Sequence, residues 1–187
     1  MLIKTDITKP EEIKKLIRFS YKEFKRIDVL VNNAAIFQKS NLQTTTEKIW
    51  DTTFATNLKS IFFTAKEIVP VFRKQGKGHI INIASVGGIE AWKNYLPYSI
   101  AKAGVIHLTK ILAKEFAPCA QVNAIAPGII SFENEEGENI SDKLKKKIPL
   151  HHFGTPDDIS SLVVFLVTSG KYITGQTFIV DGGKSIQ

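Results

Sequence analysis

Tyr98 and Lys102 stand four residues apart in a stretch that reads as helix, so their side chains share one face about one turn from each other. An ammonium close to a phenol stabilises the phenolate and lowers its pKa from about 10, which lets tyrosine exchange a proton with an alcohol or a carbonyl nearer neutral pH. The pair alone is weak evidence, because a half-buried tyrosine beside a solvated lysine has the same spacing. Ser85 supplies the context. It follows the apolar run His79-Ile80-Ile81-Asn82-Ile83 and precedes Gly87-Gly88, where a strand-to-helix loop would expose a hydroxyl at the carboxyl edge of a sheet, in place to bind a carbonyl oxygen.

Holding these groups takes elements of two periods. The runs Ile27-Asp28-Val29-Leu30-Val31, His79-Ile80-Ile81-Asn82-Ile83, Gln121-Val122-Asn123-Ala124-Ile125 and Thr177-Phe178-Ile179-Val180 read as buried strands, because their apolar residues are nearly continuous. Leu2-Ile3 reads as the end of another. Between them, residues 10–24 place Ile13, Leu16, Ile17 and Phe24 at helical spacing. Residues 49–72 are apolar enough for one or two buried helices, and residues 98–116 read as a third. Thr155 ahead of Pro156, Asp157 and Asp158 supplies an N-cap, a proline at the first helical position and acids in the first turn for a helix over 159–167. The alternation predicts an α/β fold, a parallel sheet with helices on both faces.

Composition sets the outer bounds. With 187 residues, 43% hydrophobic and 23% charged, the chain reads as one soluble domain over residues 1–187. No apolar run approaches the roughly 18–20 residues of a membrane span, and residues 1–6 lack the apolar core of a secretory signal, so the expected location is cytoplasmic, with no membrane partner. One cysteine, Cys119, allows neither an internal disulfide nor a cysteine metal cluster. The formal charge of +7 is densest at Lys143, Lys145, Lys146 and Lys147, which have no interleaved aromatics and read as a solvated helix face, without a nucleic-acid partner. His151 and His152 are adjacent and His79 and His107 fall in different elements, so no metal set is expected.

Around the reactive trio the motifs accumulate. Ser85 lies thirteen residues before the run Tyr98-Ser99-Ile100-Ala101-Lys102; Asn32-Asn33-Ala34-Ala35 follows a strand; Asn57 sits in Ala55-Thr56-Asn57-Leu58; Pro127-Gly128 follows another strand; and Asp181-Gly182-Gly183 closes the last. In this order they resemble the short-chain dehydrogenase/reductase family. The resemblance implies a Rossmann-like doubly wound sheet and NAD- or NADP-dependent interconversion of a small-molecule carbonyl and alcohol. Tyr98 would be the proton donor and acceptor, Ser85 would hold the substrate oxygen, Lys102 would depress the Tyr98 pKa and bind the nicotinamide ribose, and Asn57 would anchor a relay water. For the cofactor it implies Asp6 and Ile7 beside the adenine, Asn32, Asn33, Ala34 and Ala35 at its ribose, and Pro127, Gly128 and Ile129 at the nicotinamide amide. Asp6 as a helix cap and Asn57 as the satisfier of a backbone kink are the competing readings. Residues 130–148 resemble the loop that covers the substrate, with Phe132 where many relatives carry threonine and Ser131 as its replacement. A homotetramer is implied, with helices around Asn57 and Tyr98 in the main interface. The member resembled is 3-oxoacyl-carrier-protein reductase-like or sugar-alcohol dehydrogenase-like.

One departure is expected to matter. The family's glycine-rich Gly-x-x-x-Gly-x-Gly turn is not found in residues 1–187, and the expected fold is therefore N-terminally incomplete, without the first two strands and with the strand over 27–31 as an exposed edge. The alternative to an active oxidoreductase is a truncated, non-catalytic remnant that serves only as an oligomerisation partner.

Overall fold

The computed structural model describes residues 1–131 and 138–186. Four parallel strands, β1 (Val29–Asn32), β2 (His79–Ile83), β3 (Gln121–Pro127) and β4 (Thr177–Val180), form one sheet in the order β1-β2-β3-β4. Every step is a crossover to the next strand, as short β-branched runs separated by helix-length segments require. Among the described residues β1 stands at one edge of this sheet. The Leu2-Ile3 strand does not form: residues 1–6 carry no regular structure, and the two apolar residues have no sheet neighbour against which to pair.

The strands alternate strictly between two layers. Leu30, Ile80 and Val122 face the layer of α1 (Pro10–Phe24), α3 (Ser60–Gln75) and α4 (Leu96–Phe116), packing with Ile17, Ile68, Phe72 and Phe116. Ile81 and Ile125 face the other way, toward Leu166 of α6 (Pro156–Thr168). Helix α1 begins with Pro10 and carries Glu11 and Glu12 in its first turn, and its buried Ile13 and Ile17 lie four apart. Helix α6 starts as the sequence predicts: the Asp158 carboxylate accepts from the Thr155 backbone N–H at 2.7 Å and from its hydroxyl at 2.8 Å. Helix α5 is Glu138–Lys145.

The long apolar segment resolves into two helices with an irregular joint. Helix α2 (Glu47–Phe54) runs into a π-helical turn over Ala55–Lys59 before α3 begins. No hydrophobic period announces such a turn, since it inserts one residue into the spacing. It is the feature that places Asn57.

Candidate active site

Ser85 lies two residues past β2 in extended backbone and caps a single 3₁₀ turn, its hydroxyl accepting from the Gly87 N–H at 3.0 Å. The turn then lies directly against α4. A Cβ on Gly88 would stand 2.6 Å from the Lys102 carbonyl carbon, so only glycine lets the Ser85 loop approach the helix that carries Tyr98 and Lys102.

Lys102 is 2% exposed, and its Nζ donates to the Ile83 carbonyl at 2.6 Å while lying 5.8 Å from the Tyr98 ring centroid. Burial pushes its ammonium down to about 8. The Tyr98 phenol is pushed up, because burial outweighs the opposing contact with the Ser85 hydroxyl. Lys102 is not among the causes that shift Tyr98 here. The lysine sits one turn away as the spacing requires, but its ammonium is directed at a strand carbonyl, and desolvation governs both groups.

Asn57 is sealed from solvent, with Oδ1 accepting from the Ile36 N–H at 2.8 Å and Nδ2 donating to the Ile36 carbonyl at 2.9 Å. Its amide therefore pins the segment that follows β1, and the competing reading of Asn57 as a satisfier of irregular backbone describes its side chain. Asn32 is likewise committed inside the fold. Thr64 of α3 donates to Asn32 Oδ1 at 2.9 Å, Asn32 Nδ2 to Asn82 Oδ1 at 2.8 Å, Asn82 Nδ2 to Thr109 Oγ1 at 2.9 Å, and Thr109 to the Val105 carbonyl at 2.8 Å. This polar ladder ties α3, β1, β2 and α4 together and engages both ends of the Asn32 side-chain amide.

The remaining expected residues divide by place. Asn33 and Pro127 line one cleft of about 460 Å³, with Val31 and Ile83 on the sheet and Ile159 and Val163 on α6. Ala34 and Ala35 lie exposed beside it in sequence, and Gly128 and Ile129 are half-buried at the end of β3, with the Gly128 N–H donating to the Val180 carbonyl at 2.9 Å. Asp6 and Ile7 do not line this cleft. Asp6 instead accepts from the Thr8 N–H at 3.0 Å and pairs with Lys9 at 3.4 Å, contacts that hold its carboxyl below the usual range, with Thr8 the larger cause. It organises the turn leading into α1. Ser131 donates its backbone N–H to the Gly154 carbonyl at 2.9 Å; Phe132 and the rest of residues 132–137 of the expected substrate loop lie outside the described residues.

Sequence reasoning missed three rings beside Tyr98. Phe37 stacks on Tyr95 at 4.3 Å with an interplanar angle of 6°, and meets Tyr98 edge-on at 4.8 Å and Trp92 edge-on at 6.4 Å. Trp92, Tyr95 and Tyr98 recur every three residues, and only Phe37 is hidden by its distance along the chain; the ladder is hidden likewise, although Asn82 inside an apolar strand was a signal that a partner had to exist. No group of three His, Cys, Asp or Glu side chains converges among the described residues.

Three comparisons bear on this site. Residues 1–185 match the protein family described as Enoyl-(Acyl carrier protein) reductase. The 3-oxoacyl-[acyl-carrier-protein] reductase FabG of Staphylococcus epidermidis is 39% identical over 185 residues, which cover 97% of this chain and 76% of that protein. The 3-oxoacyl-[acyl-carrier-protein] reductase of Synechocystis is 39% identical over 184 residues, covering 97% and 74%. Among solved structures, ElxO with NADP bound superimposes with a TM-score of 0.94 at 32% identity, covering 100% of this chain and 79% of that one.

Proposed function

The chain belongs to the short-chain dehydrogenase/reductase family of NAD(P)-dependent oxidoreductases, and on that premise we propose that it reduces the 3-oxo group of an acyl thioester to a 3-hydroxyl. The observation that carries this reading is the convergence of Tyr98, Lys102 and the Ser85 loop against one another at the carboxyl end of β2. The names of the relatives from Staphylococcus epidermidis and Synechocystis supply the substrate class.

The donor set fits a nicotinamide nucleotide. Lys102 spends one donor on Ile83, which leaves two for ribose hydroxyls, and the apolar walls of the cleft beside Asn33 and Pro127 suit a flat ring. When bound, the cofactor supplies the hydride. Ser85 binds the substrate carbonyl oxygen, and Tyr98, kept protonated by its burial, donates the proton to that oxygen. The raised phenol favours reduction near neutral pH, since oxidation needs the phenolate. Asn57 is a positioning residue, fixing the backbone of residue 36 and hence the path of Asn33 to Ala35.

The test is loss of NADPH absorbance with an acetoacetyl thioester. Tyr98→Phe should lower kcat by about 10²–10⁴-fold while NADPH affinity stays within about twofold. Turnover retained by that variant removes Tyr98 from the mechanism. Reduction should fall as pH rises through about 8, where Lys102 loses its charge.

The alternative is a non-catalytic chain that serves as an oligomerisation partner of a relative. It calls for co-purification with that relative and no NADPH oxidation. For self-association, the exposed Ile100 and Ile111 on one face of α4, with Phe62 on α3, support a homo-oligomer through these helices; an Ile111→Glu variant that leaves the sedimentation mass unchanged would exclude that face.

A further inference from the structure

We infer that Phe37, with Tyr95 and Trp92 behind it, is the specificity-determining surface of the site, selecting a ketone whose carbonyl carries a flat apolar substituent over one that carries a methyl. The inference rests on the reductase reading above, which places the reacting carbonyl at Tyr98.

Phe37 is 59% exposed, an unusual state for a phenylalanine held by three other rings. Its neighbours fix one side of it, Tyr95 by stacking and Tyr98 by edge contact, and the remaining ring surface is open. An aromatic ring beside the proton donor offers area and quadrupole to a flat group attached to the carbonyl, and offers little to a methyl.

The wall is held by backbone and charge. Residues 37–40 run beside the start of α4 through a bridge between Ser40 and Tyr95: Ser40 donates to the Asn94 carbonyl at 2.9 Å, and Leu96 donates to the Ser40 carbonyl at 3.0 Å. That pairing sets Phe37 against Tyr95. Trp92 is fixed from the opposite end of the chain. Its indole N–H donates to Glu90, Glu90 pairs with Lys184 at 3.0 Å, and the Lys184 ammonium lies 5.6 Å from the Trp92 ring centroid. Such ordering limits the side-chain entropy lost when a substrate group stacks.

Two 3-oxo esters that differ only at the carbonyl, ethyl 3-oxobutanoate with a methyl and ethyl 3-oxo-3-phenylpropanoate with a phenyl, test this. In a Trp50→Phe background Trp92 is the sole tryptophan, so its emission reports binding whether or not turnover follows. The phenyl ester should bind about tenfold more tightly than the methyl ester, as one aromatic contact allows. Phe37→Ala should erase that ratio while leaving the methyl ester within about twofold, and Phe37→Tyr should keep it. Equal affinity for the two esters, a ratio that survives Phe37→Ala, or no saturable binding of the phenyl ester overturns the inference. Selective binding of the phenyl ester without NADPH oxidation would sustain the aromatic surface and sink the reductase reading instead.

Discussion

On the face of the sheet covered by α1, α3 and α4, Ile68, Phe72, Phe116 and Val122 are sealed from solvent, whereas on the α6 face Val31 is 43% exposed and Val164 60%. Tyr98 and Lys102 ride on α4, where close packing desolvates them and shifts both pKa values. Asn33 and Pro127, the residues proposed for cofactor, border the open cleft beside α6. Burial is therefore greatest around the proposed proton donor and least around the cleft.

The contrast can be broken most sharply at Phe72. Phe72→Ala removes a fully buried ring from the closed face and should cost about 3–5 kcal/mol, read from the urea midpoint; a loss below about 1 kcal/mol would mean that this face is not the sealed one. Asn82→Ala leaves the Asn32 amide and the Thr109 hydroxyl without their partner and should cost about 1–3 kcal/mol.

Lys102→Met should act in the opposite direction, stabilising the fold by about 1–2 kcal/mol at pH 7 while abolishing reduction. The sign follows from linkage. Folded Lys102 releases its proton near pH 8, well below its ordinary value of 10.5, so between these values the unfolded chain binds more protons and this group adds stability as pH rises. Wild-type stability should therefore climb across that window and the slope should flatten in the variant; identical slopes would contradict the burial of the ammonium. Smallest of all, Val164→Ala on the open face should change stability by less than about 0.5 kcal/mol, and a cost like that of Phe72→Ala would erase the distinction between the two faces.

The parts legible in the sequence are those governed by local pattern. The bounds of β2, β4 and α1 follow the apolar runs, and the Thr155 cap is written in four consecutive residues. The spacing of Tyr98 and Lys102 places them on one helix turn. The direction of the Tyr98 pKa was not legible, because it depends on packing by residues such as Phe37 that arrive from another loop. Nor was the task of Asn32, which faces Asn82 only once β1 and β2 are in register. Asn57 was found by its motif, but the backbone it grips is visible only in three dimensions.

The ladder through Thr64, Asn32, Asn82 and Thr109 donates in one direction along its whole length, ending on the Val105 carbonyl. It thereby acts as a key for assembly. A slip of one residue between β1 and β2 would set Asn32 against Ile81 or Ile83, turn the apolar side chains of β1 to the wrong layer and strand amides in the core. The smooth run of isoleucines along β2 cannot by itself tell one alignment from the next. Two asparagines that pair only in the native alignment can, so the ladder distinguishes the native register from its neighbours.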